Sequence, residues 1–306
     1  MALLSLIFRR LSIPIAKQKT VGPTTKLEYL GIILDTVLMQ ASLPHDKLSR
    51  LTEIVTVFLQ KRKCTKCELL SLLGHMQYAS RVIIPGRSFV SRLLEAARGA
   101  RRLHHHVTLS KDCKEDLRVW HIFLKHWNGV SLFLDISCTK SADLTLFTDA
   151  SGSQGFGAYY HVQWFQGHWP SDIEVHIPDH ELSMAYKELV PIVAAAEIWG
   201  SQWPRKRIQF MCDNQATCAI LNKGRSRSHV IMQLMRHLTL KAARSNFAFT
   251  AEYIASKDNA LADSLSRFQM TRFRQLAPLA DPLPLAIPHS IIFPWKQPLP
   301  TSCNTP

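Results

Sequence analysis

Four acidic residues stand in four separate short strings: Asp149 in FTDAS (Phe147 to Ser151), Glu188 in YKELV (Tyr186 to Val190), Asp213 in MCDNQ (Met211 to Gln215) and Asp263 in ADSLSR (Ala262 to Arg267). Carboxylates are hard oxygen donors, and Mg²⁺ binds one or two of them while keeping waters and substrate oxygens in its shell. Two such ions, about 3.5–4 Å apart, can activate a water and stabilise the departing oxygen of a phosphodiester. Four acids can hold such a pair, with Mn²⁺ able to replace Mg²⁺. Each acid also has a plainer use. Asp149 before Ala-Ser-Gly suits a turn, Asp213 before Asn a helix cap, Asp263 a helix start, and Glu188 a solvated helix face. Only the conjunction points to chemistry.

The elements that must position these acids can be read from the pattern. LTLFTDA alternates as a strand, and GSQGFGAYYHVQWFQGHWP, with glycines at turns and aromatics between them, predicts an antiparallel pair after it. A helix over Ser183 to Trp199 buries Leu189, Ile192, Val193 and Ala196. RIQFMCD is a strand, QATCAILNK a short helix, SHVIMQLMRHLTLKAAR a longer one, FAFTAEYI a strand and NALADSLSR the last helix. The order predicts an α/β fold with a mixed sheet and flanking helices. If the strand ending at Asp213 pairs in parallel with the Asp149 strand, a right-handed crossover carries Glu188 between them. Both aspartates then converge at the carboxyl ends of their strands, where such sheets place their sites.

An acid on a first strand, one on a helix, one ending a later strand and one starting a last helix resembles the ribonuclease H family. That resemblance implies a ribonuclease H-like sheet, two Mg²⁺ ions, and cleavage of the RNA strand of an RNA–DNA hybrid. Asp149 and Asp213 would share the ions, Glu188 would hold one and position water, and Asp263 would complete the second site. The family's final loop often carries a histidine, whereas no His lies between Glu252 and Asp263. Related retrotransposon enzymes commonly have Pro-Gly where this chain has Ala255 and Ser256. Those differences bear on turnover more than on metal binding.

Upstream, KTVGPTTKLEYLGIILD and the LPHDKL string resemble the end of a reverse transcriptase palm. SLLGHMQYASRVIIPGRSF resembles the thumb or connection that follows, particularly in DIRS-like retrotransposons. The alternation of Leu27, Tyr29, Gly31 and Ile33 with Leu30, Ile32 and Leu34 predicts a strand buried on both faces. Helical spacing recurs in Leu48, Leu51, Val55, Phe58 and Leu59, in Leu69, Leu73 and Met76, and in Leu117, Trp120, Leu124 and Trp127. The division expected is a palm remnant over 1–40, a helical thumb or connection lobe over 41–139, a ribonuclease H-like domain over 140–270 and a Pro-rich extended tail over 271–306. The aromatic-x-Asp-Asp string of a polymerase is missing, and no Asp-Asp pair occurs anywhere. DNA synthesis is therefore not expected.

The formal charge is +14, which favours a polyanionic partner. Residues 1–140 hold 22 Lys or Arg against 10 Asp or Glu, whereas residues 141–270 hold 12 of each. A nucleic-acid grip is thus expected mainly in the first half, at Lys61, Arg62, Lys63 and Lys66 and at Arg98, Arg101 and Arg102. Lys223, Arg225 and Arg227 offer a further phosphate contact in the second half. Seven cysteines without regular spacing argue against a secreted disulfide framework. Cys64 and Cys67 have CxxC spacing, but Thr65 and Glu68 form a capping-box string that places Cys67 in an ordinary first helical turn, which reads as structure rather than a metal or redox site. The His104, His105, His106 run has no second ligand cluster and reads as a solvated loop. No apolar run is long enough for a membrane span, so an intracellular location, in cytoplasm, nucleus or both, is expected. The opening MALLSLIFRRLSIPI has a short apolar stretch followed by arginines and no small-residue cleavage site, and reads as the end of a truncated domain rather than a targeting segment. Eight of the 16 prolines fall from Pro278 onward, predicting an extended tail without a packed core of its own. The leading reading is a retroelement-derived hybrid nuclease without polymerase activity of its own, within or derived from a polyprotein; a non-catalytic nucleic-acid-binding remnant is the alternative.

Overall fold

The computed structural model describes residues 2–16, 20–126, 131–132, 143–171, 173, 177, 182–204, 206–288 and 291. An N-terminal helix α1 (Ala2–Arg10) precedes three short strands, β1 (Lys26–Tyr29), β2 (Ile32–Asp35) and β3 (Gln40–Ser42). The strands pair antiparallel in that order. The double-faced buried strand expected through Leu27 to Leu34 is not formed. The chain reverses at Leu30 and Gly31, with φ of 48° and 76°, the signs that a two-residue primed hairpin turn requires. The turn is pinned from the helical side: the Tyr78 hydroxyl and Lys47 Nζ donate to the Gly31 carbonyl at 2.6 and 3.2 Å. β1 and β2 stay half-buried or exposed.

The helical lobe follows: α2 (His45–Gln60), β4 (Lys63–Thr65), α3 (Lys66–Ala79), a 3₁₀ turn (Ile84–Phe89), α4 (Ser91–Gly99), β5 (His106–Thr108) and α5 (Lys111–His126). Leu48, Leu51, Val55, Leu69, Met76, Leu117 and Trp120 bury one stripe of each main helix in a common core. Trp127, placed on the same stripe by spacing, lies outside the described residues. Thr65 and Glu68 form the reciprocal capping box at the start of α3. A two-residue strand β6 (Ser131–Leu132) returns to pair with β3.

The second half builds β7 (Leu144–Ala150), β8 (Gly155–Tyr160), β9 (Gln163–His168), α6 (Met184–Trp199), β10 (Arg207–Cys212), α7 (Gln215–Lys223), α8 (His229–Arg244), β11 (Ala248–Tyr253), α9 (Ala260–Ser266) and α10 (Met270–Leu276). These strands form a five-stranded mixed sheet in the order β11-β10-β7-β8-β9. β10 runs parallel to β7 and β11, while β8 is antiparallel to β7 and β9. Successive strand residues point to opposite faces. Phe165 accordingly joins the core under α6 and α8, and Trp164 joins a smaller cluster with Leu265 and Phe273.

The segment after α10 is extended, but it does not stand clear of the fold. The Asp281 and Leu285 amides donate to the Val162 and Trp164 carbonyls at 2.7 and 2.8 Å, and the Trp164 indole donates to the Asp281 carbonyl at 2.7 Å. It covers β9, an edge strand whose backbone groups would otherwise be open to pairing with another chain. Residues 292–306 of the tail lie outside the described residues.

A buried charge cluster ties the helical lobe to the sheet layer. Asp116 of α5, fully buried, receives Arg92 of α4 at 3.5 Å and Arg236 of α8 at 3.2 Å. Burial pushes the Asp116 carboxyl up to about 6 against the pull of both guanidiniums. It lies between the two guanidiniums and compensates both arginines in a dry setting. Among the described residues, no helix is long and apolar enough to cross a membrane.

Candidate active site

Parallel pairing of β10 with β7 sets Met211 opposite Phe147. Asp149 lies two residues farther along β7, and Asp213 immediately follows β10. Glu188 comes from the opening turns of α6, a helix capped by the Ser183 hydroxyl, which accepts from the Tyr186 amide. α6 packs on β7 and β8, so the side chain is buried against the strand ends. Its carboxylate accepts from the Ala150 N–H. Ligand atoms of Glu188, Cys212 and Asp213 all lie within 4.8 Å of one another.

Asp149 is fixed by residues that follow the last strand. The Asn259 amide donates to the Thr148 carbonyl at 3.0 Å and to Asp149 Oδ1 at 3.4 Å. The Ser266 hydroxyl donates to Asp149 Oδ2. These contacts require α9 to lie close on the sheet, and Gly157 makes that possible. Gly157 pairs with Asp149 across the β7–β8 ladder. A Cβ there would meet Leu265 Cβ of α9 at 2.5 Å and the Phe165 carbonyl at 3.1 Å. Asp213 receives the Ser256 hydroxyl at 2.6 Å.

The site's electrostatics follow from crowding acids in a poorly solvated place. Glu188 is pushed up to about 9, first by burial and then by the charges of Asp149 and Asp213. Asp149 is raised to about 6 by burial, against the hydrogen bond from Ser266, with Asp213 and Asp263 raising it further. Burial and the nearby Glu188 push the Cys212 thiol upward as well, and its Sγ donates to Glu188 Oε2 at 3.7 Å. Mutually repelling carboxylate oxygens at one spot are a donor set that a hard divalent cation relieves, so the residues fit Mg²⁺ or Mn²⁺.

Asp263 occupies the rim rather than the buried centre. Arg267 Nε donates to its Oδ1 at 2.6 Å and Arg272 Nη1 to its Oδ2 at 2.9 Å. It nonetheless acts electrostatically on Asp149. Asp149, Glu188 and Asp213 are thus brought together, and Asp263 stands beside them with both oxygens engaged by cations.

The two basic groups of the first half form one face. β4 pairs with β5, and the Lys66 and Cys67 amides donate to the His105 and Leu103 carbonyls at 2.9 Å. Arg62, Lys63, Arg98, Arg101 and Arg102 are exposed there, together with His104, His105 and His106. Lys61 is paired with Glu68 at 2.7 Å, and Lys66 Nζ donates to the Ala100 carbonyl at 2.7 Å. Lys223, the last residue of α7, and Arg225 and Arg227 in the loop after it are exposed. That loop touches the helical lobe, where the Ser88 hydroxyl donates to the Gly224 carbonyl at 3.3 Å.

Sequence reasoning missed Ser256, Asn259, Ser266 and Arg272, which orient the acids, and Cys212 beside Glu188. Ser266 and Arg267 lie inside the ADSLSR string, and their helical offset from Asp263 was the available signal. Arg272 lies nine residues from Asp263 across a helix break, beyond local patterns.

The chain matches no protein-family model and no curated protein sequence. One solved structure, that of the foamy viral protease-reverse transcriptase dRH in complex with ds DNA, is similar with 14% sequence identity and a TM-score of 0.37, over 83% of this chain and 42% of that one. The chain thus spans less than half the length of that structure.

Proposed function

We propose that this chain is a metal-dependent ribonuclease of the ribonuclease H type, cutting the RNA strand of RNA–DNA hybrids, with no polymerase activity of its own. One observation carries the reading: Asp149 and Asp213 lie at the carboxyl ends of adjacent parallel strands beside Glu188 of α6, whose carboxyl is driven up by burial first and then by the charges of those two. Asp149, Glu188, Asp213 and Asp263 would hold two Mg²⁺ ions. When bound, such a pair supplies the positive charge that activates water and stabilises the leaving oxygen.

The chain's own residues have separate tasks. Ser266 and Asn259 hold Asp149 in one rotamer, and Ser256 does the same for Asp213. The Ala150 amide fixes the Glu188 carboxylate, and its burial limits competing water. The basic face over 61–66 and 98–102 would hold the duplex backbone, and Lys223, Arg225 and Arg227 would add a further phosphate contact. The choice of a hybrid rests on the resemblance of the four strings, and a retroelement polyprotein is the setting it implies. In the alternative reading the same surface holds nucleic acid without cutting it, and the engagement of Asp263 by two arginines favours that reading.

The test is to offer the purified chain end-labelled RNA–DNA hybrid, double-stranded RNA and double-stranded DNA with Mg²⁺ or Mn²⁺. Cleavage confined to the RNA of the hybrid is expected, with no extension of a primed template. Binding of hybrid without any cleavage would select the alternative.

A further inference from the structure

Arg267 and Arg272 approach one carboxylate from two different elements. Arg267 ends α9 and Arg272 lies in α10, yet both donate to Asp263, one to each oxygen. Their side chains are 51% and 46% exposed, against 19% for Asp263. The cations therefore face solvent while the acid lies beneath them. The Arg267 guanidinium is also stabilised in its charged form by Asp263 first, and then by Asp149 and Asp213. An internal cation thus already partly neutralises the acid site. Guanidiniums are suited to forked recognition of phosphate as well as carboxylate, and the phosphodiester to be cut must approach these acids.

We propose that Arg267 and Arg272 form a phosphate-binding fork that rests on Asp263 until the substrate strand arrives. Transfer of the guanidiniums to substrate phosphate frees both Asp263 oxygens for the second metal ion. Substrate binding and completion of the metal site are thereby coupled, and the site stays incomplete in the absence of nucleic acid. This inference rests on the nuclease reading above. It adds a substrate contact and an order of assembly to that reading. No covalent step is involved, since one anion replaces another on the same two cations.

The experiment counts Mn²⁺ bound to the full chain by titration calorimetry and by electron paramagnetic resonance of the free ion. The wild type is compared with Arg267→Gln/Arg272→Gln, each alone and with a hybrid whose RNA strand is 2′-O-methylated to prevent cutting. Without hybrid, the wild type should bind one ion well and a second about tenfold more weakly, the scale that two partly exposed ion pairs reach. The hybrid should remove that gap. The double variant should bind both ions with similar affinity without hybrid. Its hybrid affinity should also depend less on salt, with the log–log slope reduced by about 2 for two lost phosphate contacts. Far-UV circular dichroism checks that the variant is folded; should it not be, Arg272→Gln alone carries the same comparison with about a threefold effect.

Two equal ions on the hybrid-free wild type, or a gap that persists in the variant, would overturn the fork while leaving the nuclease reading intact. No Mn²⁺ bound to either protein, with or without hybrid, would overturn both.

Discussion

Replacing Glu188 by Gln should make the metal-free protein more stable at alkaline pH, a direct consequence of where that carboxyl is buried. In the folded chain Glu188 holds its proton up to about 9, whereas in the unfolded chain it titrates near the ordinary value of about 4.3. Between these values the folded state binds a proton that the unfolded state does not. Stability therefore falls as pH rises through this window. Each pH unit costs about 1.4 kcal/mol per such group, so the step from pH 6 to pH 8 should cost on the order of 3 kcal/mol through Glu188 alone. Asp149, raised to about 6, has the same sign but acts mainly below pH 6. Urea unfolding in the presence of a chelator at pH 6, 7 and 8 measures the slope directly. Glu188→Gln should remove most of it, and saturating Mg²⁺ should flatten it in the wild type by replacing the proton. Parallel pH profiles for wild type and variant would refute the assignment of the slope to this residue.

Further outcomes follow from other parts of the fold. Asp116→Ala leaves Arg236 buried without its acid, while Arg92 keeps the longer ion pairs to Asp112 and Glu115, and should cost about 3–5 kcal/mol in denaturant unfolding; a loss below about 1 kcal/mol would mean that the cluster is not a clamp. Gly157→Ala forces α9 away from β8 and should cost about 1–3 kcal/mol, with a larger proportional loss of hybrid cleavage because Ser266 leaves Asp149. Unchanged cleavage in that variant would detach α9 from the site. Arg101→Ala and Arg102→Ala should each lower the salt slope of hybrid binding by about 1 without changing kcat; salt slopes equal to wild type would remove these residues from the interface.

The element order of the second half was legible because its patterns are long and unambiguous. Alternation in LTLFTDA and helical periodicity in SHVIMQLMRHLTLKAAR each admit one reading, and the N-caps at Ser183 and Ser228 begin their helices where the sequence says they should. The hairpin at Leu30 and Gly31 was not legible, because alternating apolar residues look the same in one strand as in two. Positive φ at both Leu30 and Gly31 distinguishes them, and nothing local announces it at the leucine. The course of the tail was also hidden: proline content predicts extension, but pairing along β9 depends on which sheet edge lies within reach. At the candidate site, the positions of Asp149 and Asp213 follow from strand ends. The partners of those acids depend on how closely α9 packs on Gly157, a tertiary fact.

The central claim is that Asp149 and Asp213 jointly hold the metal ions on which hybrid cleavage depends. Its most direct test is single-turnover cleavage of an end-labelled RNA–DNA hybrid in Mg²⁺ by wild type, Asp149→Asn and Asp213→Asn, each verified as folded by circular dichroism and urea midpoint. The account predicts cutting by the wild type and none by either variant, with hybrid binding retained in all three. Metal-dependent cleavage surviving in either variant at the wild-type rate would contradict it.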